Sequence, residues 1–96
     1  MMYQRARNLH DHGKIDEAIE VYKKILEKVG DNSEVHYDLG VAYADKNDVV
    51  SAKKQMAILR KLDRSDLAEV LSTVIRDSDS TRIRKKLQTD YDDSQK

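Results

Sequence analysis

No cysteine, proline, tryptophan or phenylalanine occurs in this 96-residue chain, and glycine occurs three times. Without cysteine there are neither disulfides nor thiolate metal sites, a usage that fits a reducing compartment. Without proline, and with few glycines, little forces the backbone to break, which favours long helices. Gly13, Gly30 and Gly40 lie too far apart to build a phosphate-cradling loop. No apolar run approaches the roughly 18 residues of a membrane span, and the charged stretch from Met1 to Arg7 leads into no apolar core of a secretory leader. An excess of charge of one sign is missing as well. Eighteen basic residues cancel eighteen acidic ones in a chain that is 38% charged. Dedicated binders of nucleic acid or of a membrane surface carry a basic excess, so a cytoplasmic protein without a membrane span is expected.

The apolar residues that remain recur at helical spacing. Ile15, Ala18, Ile19, Tyr22, Ile25 and Leu26 share one helix face, with charges opposite and Glu20 four residues before Lys24. Gly30-Asp31-Asn32 breaks the pattern, and Ser33 is expected to cap a helix over about 34–46. Asn47-Asp48 makes a turn with a capping aspartate before a helix over about 49–62. Asp63-Arg64-Ser65 breaks again, and Ser65 or Asp66 opens a helix ending near Arg76. After Ser78-Asp79-Ser80-Thr81, residues 82–88 are long enough for about two helical turns, and residues 89–96 read as a frayed polar tail. Helices joined by such short turns are antiparallel neighbours, so the fold class is all-α, built from αα-hairpins.

Laid on itself at an offset of 34 residues, the chain repeats. Ala6 meets Gly40, Leu9 meets Tyr43, Gly13 meets Asn47 and Ile15 meets Val49; Ala18 meets Ala52, Tyr22 meets Met56 and Ile25 meets Leu59. Small residues meet small and turn residues meet turn residues. Leu39-Gly40-Val41-Ala42-Tyr43 in the second unit, and Gly13-Lys14-Ile15-Asp16-Glu17-Ala18-Ile19 in the first, resemble the motifs of the tetratricopeptide repeat, a helix–turn–helix of that period. The resemblance covers about residues 2–76. It implies antiparallel pairs stacked as a short right-handed superhelical solenoid, with repeat one at about 2–32 and repeat two at about 33–66. Thr73, Val74 and Asp77 do not match a third unit, so 66–76 is expected to be the capping helix, closing a domain over 1–76. His36 stands where the family has tryptophan, and no proline closes either unit.

What the resemblance implies about function is protein binding without chemistry, with neither catalytic residues, metal nor cofactor. On the second unit's first helix, Val35, Leu39, Gly40 and Tyr43 form one apolar face, assigned to internal packing, while Tyr37, Val41 and Ala44 form another. That second face continues at the 34-residue offset to Leu71 and Ile75, and back to Tyr3 and Arg7; in the resembled family these positions line a concave groove. The expected ligand is an amphipathic helix or extended apolar peptide, anchored on Tyr37 and Leu71 and rimmed by Arg7, Asp38 and Asp45. The lysine–asparagine–arginine clamp that some members use for a terminal carboxylate is broken here by Asp38, Tyr3 and Arg7.

Other readings carry less weight. In His10-Asp11-His12 the two imidazoles stand at i and i+2, on different helix faces, which disfavours a shared ion and a metal-dependent regulator. The serines at 33, 65, 78 and 80 fall in turns, where capping accounts for them. Arg82-Ile83-Arg84-Lys85-Lys86 is a basic run offset by Asp90, Asp92 and Asp93 and lacking interleaved aromatics, so nucleic acid is not the expected partner. Two repeats and a cap leave the first unit's outer side near Met1, Met2 and Leu9 uncovered, which makes a homodimer, or a small self-assembling unit, the alternative to peptide binding.

Overall fold

The structure, a computed structural model, describes residues 2–77. Among them are five helices and no strand: α1 (Met2–Asp11), α2 (Ile15–Val29), α3 (Ser33–Asp45) and α4 (Val49–Lys61), followed by α5 (65–77). The helix expected at 82–88 and the tail at 89–96 lie outside the described residues. Within the described residues no helix is long and apolar enough to cross a membrane.

Three of the four turns are built alike. Gly13, Asn47 and Asp63 take positive φ, at 80°, 66° and 61°, a region that glycine enters freely and Asn or Asp enters at modest cost. The residue after each then donates its N–H five residues back: Lys14 to the Leu9 carbonyl at 2.8 Å, Asp48 to Tyr43 at 2.8 Å and Arg64 to Leu59 at 2.9 Å. This bond closes the helix end and reverses the chain within three residues, so each helix lies antiparallel to the one before. Asp48 caps α4, accepting from Ser51 N at 3.2 Å and from its hydroxyl at 2.8 Å. The cap of α3 falls one residue earlier than expected. Extended Asn32 (φ −125°, ψ 120°) accepts from Val35 N at 3.2 Å. Ser33 is already helical, and its hydroxyl accepts instead from Arg64 Nη1 at 3.1 Å, tying the start of α3 to the turn before α5.

Apolar burial divides into two layers. In the first, Ala6, Ala18, Ile19, Tyr22 and Ile25 of α1 and α2 meet Val35, Leu39 and Ala42 of α3. In the second, Ala44 of α3 packs with Ala52 and Leu59 of α4 and with Ala68, Leu71 and Ile75 of α5. Tyr43 packs against both. Ala6, Ala18, Ala52 and Ala68 are fully buried, so the small residues sit where helices approach most closely. His36 takes the place of a large aromatic and is itself buried, with Nδ1 2.7 Å from Gln55 Oε1 on α4 and Nε2 3.0 Å from Asp31 Oδ1 in the α2–α3 turn.

Gly40 is the tightest point. A Cβ built there would lie 2.4 Å from Leu71 Cδ2 and 3.3 Å from Gln55 Cβ, so the missing side chain is what lets α4 and α5 close on α3 together. Leu71 is completely buried in that position. Leu71→Ala should cost about 2–5 kcal/mol through the cavity it opens. Gly40→Ala adds helix propensity worth about 1 kcal/mol, which the clash outweighs, for a net loss of about 1 kcal/mol. Combined, the two should interact by at least about 1 kcal/mol, because the new methyl fills the space that Leu71 vacates; urea unfolding of the four proteins measures this. Additivity within about 0.5 kcal/mol would place α5 away from Gly40.

Candidate functional site

Because α1 and α3 are each separated by one antiparallel helix, they run parallel, side by side, and two pairs of residues lock them in register. Near their N-terminal halves the Tyr3 hydroxyl donates to Asp38 Oδ2; near their C-terminal ends His10 Nε2 is hydrogen-bonded to Asp45 Oδ2. Both pairs link residues 35 apart, one more than the repeat, as expected for side chains reaching across to the next unit. Tyr3 is held on its other side by an edge-to-face contact with buried Tyr22, ring centroids 6.3 Å apart at 62°, and the Arg7 guanidinium carbon lies 5.9 Å above the Tyr3 ring. Between the helices these residues leave a cleft of about 290 Å³, lined by Arg7, His10, Asp11, Tyr22, Tyr37, Asp38 and Val41.

Electrostatically the cleft is acidic. Asp38 is half-buried, and burial raises its pKa above the ordinary carboxylate value. The Tyr3 hydroxyl, Arg7 and His10 pull it down by less, and Glu34 adds to the rise. Tyr3 is pushed up to about 12, first by burial and then by the carboxylate it bonds. Burial, followed by the charge of Asp38, drives Tyr22 higher still. Burial leads in all three groups, and the Asp38 carboxylate placed against the two phenols adds to it by favouring their neutral forms.

The residues expected to line one groove fall into two groups. Tyr3, Arg7, Tyr37 and Val41 gather at the cleft, with Asp38 in its wall and Asp45 at its rim on His10. Ala44, Leu71 and Ile75 do not reach it. At 2%, 0% and 6% exposure they belong to the second core layer, and Leu71, expected as an anchor, instead fills the gap over Gly40. The apolar face of α5 that carries Leu71 and Ile75 turns towards α3 and α4 rather than towards a groove, and the absence of a Cβ at Gly40 leaves the space that Leu71 occupies. His10, Asp11 and Tyr22 line the cleft without having been singled out for it; the signal was present in the 34-residue pairing of Asp11 with Asp45. His12 is turned away, Nδ1 2.7 Å from the Asn8 carbonyl. Among the described residues no group of three or more His, Cys, Asp or Glu is placed to hold a metal ion.

The phenols set an alkaline limit on stability. In the unfolded chain Tyr3 and Tyr22 ionise near pH 10, while in the fold both hold their protons to higher pH. The folded state therefore binds more protons in this range, and stability falls as pH rises from about 10 through the folded pKa of Tyr3 near 12. A titration followed by phenolate absorbance should show Tyr3 and Tyr22 ionising late and together with loss of helical circular dichroism. Tyr3→Phe should cost about 1–2 kcal/mol at neutral pH, from the lost hydrogen bond to a carboxylate, and flatten the decline above pH 10.

A family model for the tetratricopeptide repeat matches residues 9–74. No curated protein and no solved structure matches the chain. The matched stretch runs from the last turn of α1 almost to the end of α5, and it contains the repeated turns at Gly13 and Asn47 and the buried small residues Ala18, Gly40 and Ala52. The chain belongs to the tetratricopeptide-repeat family.

Proposed function

We propose that the cleft between α1 and α3 holds a peptide or helix of a partner protein, with no chemical step, in a cytoplasmic setting. Tetratricopeptide repeats are in general non-catalytic protein-interaction modules. The observation that carries the assignment to this surface is the half-exposed pair Tyr37 and Val41, one helical turn apart on α3, opening on the cleft beside charged Arg7, Asp11 and Asp38. An aromatic and an aliphatic anchor with a polar rim is the composition of a binding hot spot. With Leu71 in the core, Tyr37 and Val41 carry the apolar contact, and Arg7, Asp38 and Asp45 set the charge pattern around it. Peptides selected on the intact chain from a random display library should bind through this cleft. Val41→Glu and Tyr37→Ala should each weaken them at least tenfold, about 1.4 kcal/mol, while leaving circular dichroism and melting nearly unchanged. Unaltered binding by both variants would remove the cleft from consideration; unfolding by Val41→Glu would make Val41 a core residue.

A second reading, self-association, is supported by a different surface. On the outer side of α1 a hollow of about 440 Å³ is framed by Leu9 and by the side chains of Gln4, Arg5, Asn8, His12 and Lys14. In the next unit the positions in register with Arg5 and Asn8 are Leu39 and Ala42, which the core buries against α2. The first unit thus presents the same face with no helix before it among the described residues. Sedimentation across a concentration series should show dimers that Leu9→Glu abolishes and Val41→Glu leaves intact. A monomer at about millimolar concentration overturns this reading without touching the first.

A further inference from the structure

Among the described residues three large apolar side chains stand well out into solvent: Val29 at 65%, Val50 at 68% and Val70 at 48% exposure. Val29 ends α2 beside Lys28 and Gly30, so no helix face continues from it. Val50 stands three and four residues before Lys53 and Lys54. Val70 differs. It lies on the side of α5 away from buried Ala68, Leu71 and Ile75, at helical spacing from exposed Asp66, Thr73 and Asp77 and next to exposed Glu69. The one cation of this outer stripe is Arg76, and Asp66 is already bonded by both arms of the Arg64 fork, at 3.1 and 3.2 Å. Glu69 and Asp77 enter no ion pair among the described residues. The stripe of α5 is therefore apolar at its centre and acidic around it.

The hollow on α1 has the opposite charge. Arg5, His12 and Lys14 frame it with the amides of Gln4 and Asn8 around Leu9, and among these residues there is no carboxylate. Arg5 and Lys14 likewise enter no ion pair among the described residues. In the next unit the face in register with this one is covered by α2, antiparallel to α3, so the hollow is a seat for an antiparallel helix. We propose that the outer stripe of α5 fills the α1 hollow of a second copy, head to tail, with Asp77 towards Arg5, Glu69 towards His12 and Lys14, and Val70 and Val74 over Leu9. The spacing matches: Glu69 and Asp77 are about 12 Å apart along their helix, and Arg5 and His12 about 10 Å along theirs. Within one molecule the pairing cannot form, because α1 packs in the first layer and α5 in the second, with α3 shared between them. A two-fold contact of hollow on hollow would set Arg5 of one copy against His12 and Lys14 of the other, cations on cations. Head-to-tail contact leaves a free hollow at one end and a free stripe at the other, so the dimer is the first step of an open series. The pairing rests on the self-association read from the α1 hollow and adds what fills it.

Sedimentation of the intact chain tests the two separately. E69K/D77K and R5E/K14E, both confined to exposed side chains, should keep helical circular dichroism and each weaken association at least about tenfold. Mixed in equal amounts, or combined on one chain as R5E/K14E/E69K/D77K, they should associate again, since each reversed charge then meets its opposite. Raising salt to about 1 M, where the screening length is about 3 Å, should weaken association of the unaltered chain by a similar factor. Association that Leu9→Glu abolishes but E69K/D77K leaves untouched would keep self-association through the hollow and overturn the α5 stripe as its occupant. Loss in both charge variants without recovery in the mixture or the combined chain would also overturn the pairing. A monomer at about millimolar concentration would overturn the pairing and the self-association together.

Discussion

One missing side chain governs how the helices of this protein assemble. At Gly40 the backbone of α3 is approached on one side by the Gln55 Cβ of α4 and on another by the Leu71 methyls of α5. A helix pays about 1 kcal/mol for a glycine in its interior, and here the return is simultaneous close packing of two neighbours. The consequences spread outward. Leu71 descends into the second layer together with Ala68 and Ile75, and Tyr43, one turn on from Gly40, bridges that layer to the first. Tyr37 and Val41 remain half-exposed towards α1. The same residue that seals the core therefore decides which side chains stay exposed beside α1.

Much of this was legible in the sequence, for reasons that are local. Gly13 and Asn47 mark turns because positive φ excludes most residues, and that exclusion reads directly as composition. Ala18 and Ala52 mark crossings because a fully buried position at close approach admits little else. The 34-residue offset then multiplied each weak local signal by two. What failed was the orientation of α5. Ala68, Leu71 and Ile75 are buried in the second layer, Leu67 and Val74 pack against it and Val70 is exposed, so the apolar arc of α5 is broad, and periodicity cannot say which part of it turns inward. The answer lies in Gly40, 31 residues earlier and on another helix. The α3 cap moved by one residue because Asn32 and Ser33 are both competent caps, and a contact from distant Arg64 occupies the Ser33 hydroxyl.

His36 illustrates a substitution that sequence could flag but not interpret. In place of a large aromatic the chain buries an imidazole, and burial of a polar ring is tolerated only where its nitrogens find partners. They do, in Gln55 of α4 and Asp31 of the α2–α3 turn. The exchange replaces bulk by direction: instead of filling volume, the residue connects the start of α3 to the helix after it and to the turn before it. Among the described residues no buried side-chain nitrogen or oxygen lacks a partner, so this polar insertion leaves no unmet desolvation cost in the core.

The same accounting applied to the cleft separates affinity from selectivity. Asp38 is partly withdrawn from water, yet its charge is answered from within by the Tyr3 hydroxyl and by Arg7 and His10 nearby. A ligand cation arriving at Asp38 gains attraction but must share the carboxylate with Tyr3 and accept the nearness of Arg7. Such partly satisfied charges contribute little net binding energy; they act mainly by penalising the wrong ligand. A carboxylate brought to the cleft would meet Asp38, Asp11 and Asp45 with Arg7 and His10 to compensate, an arrangement that disfavours it on charge. For the proposed peptide, the apolar faces of Tyr37 and Val41 would therefore supply most of the affinity, and the carboxylates around them would set its charge selectivity.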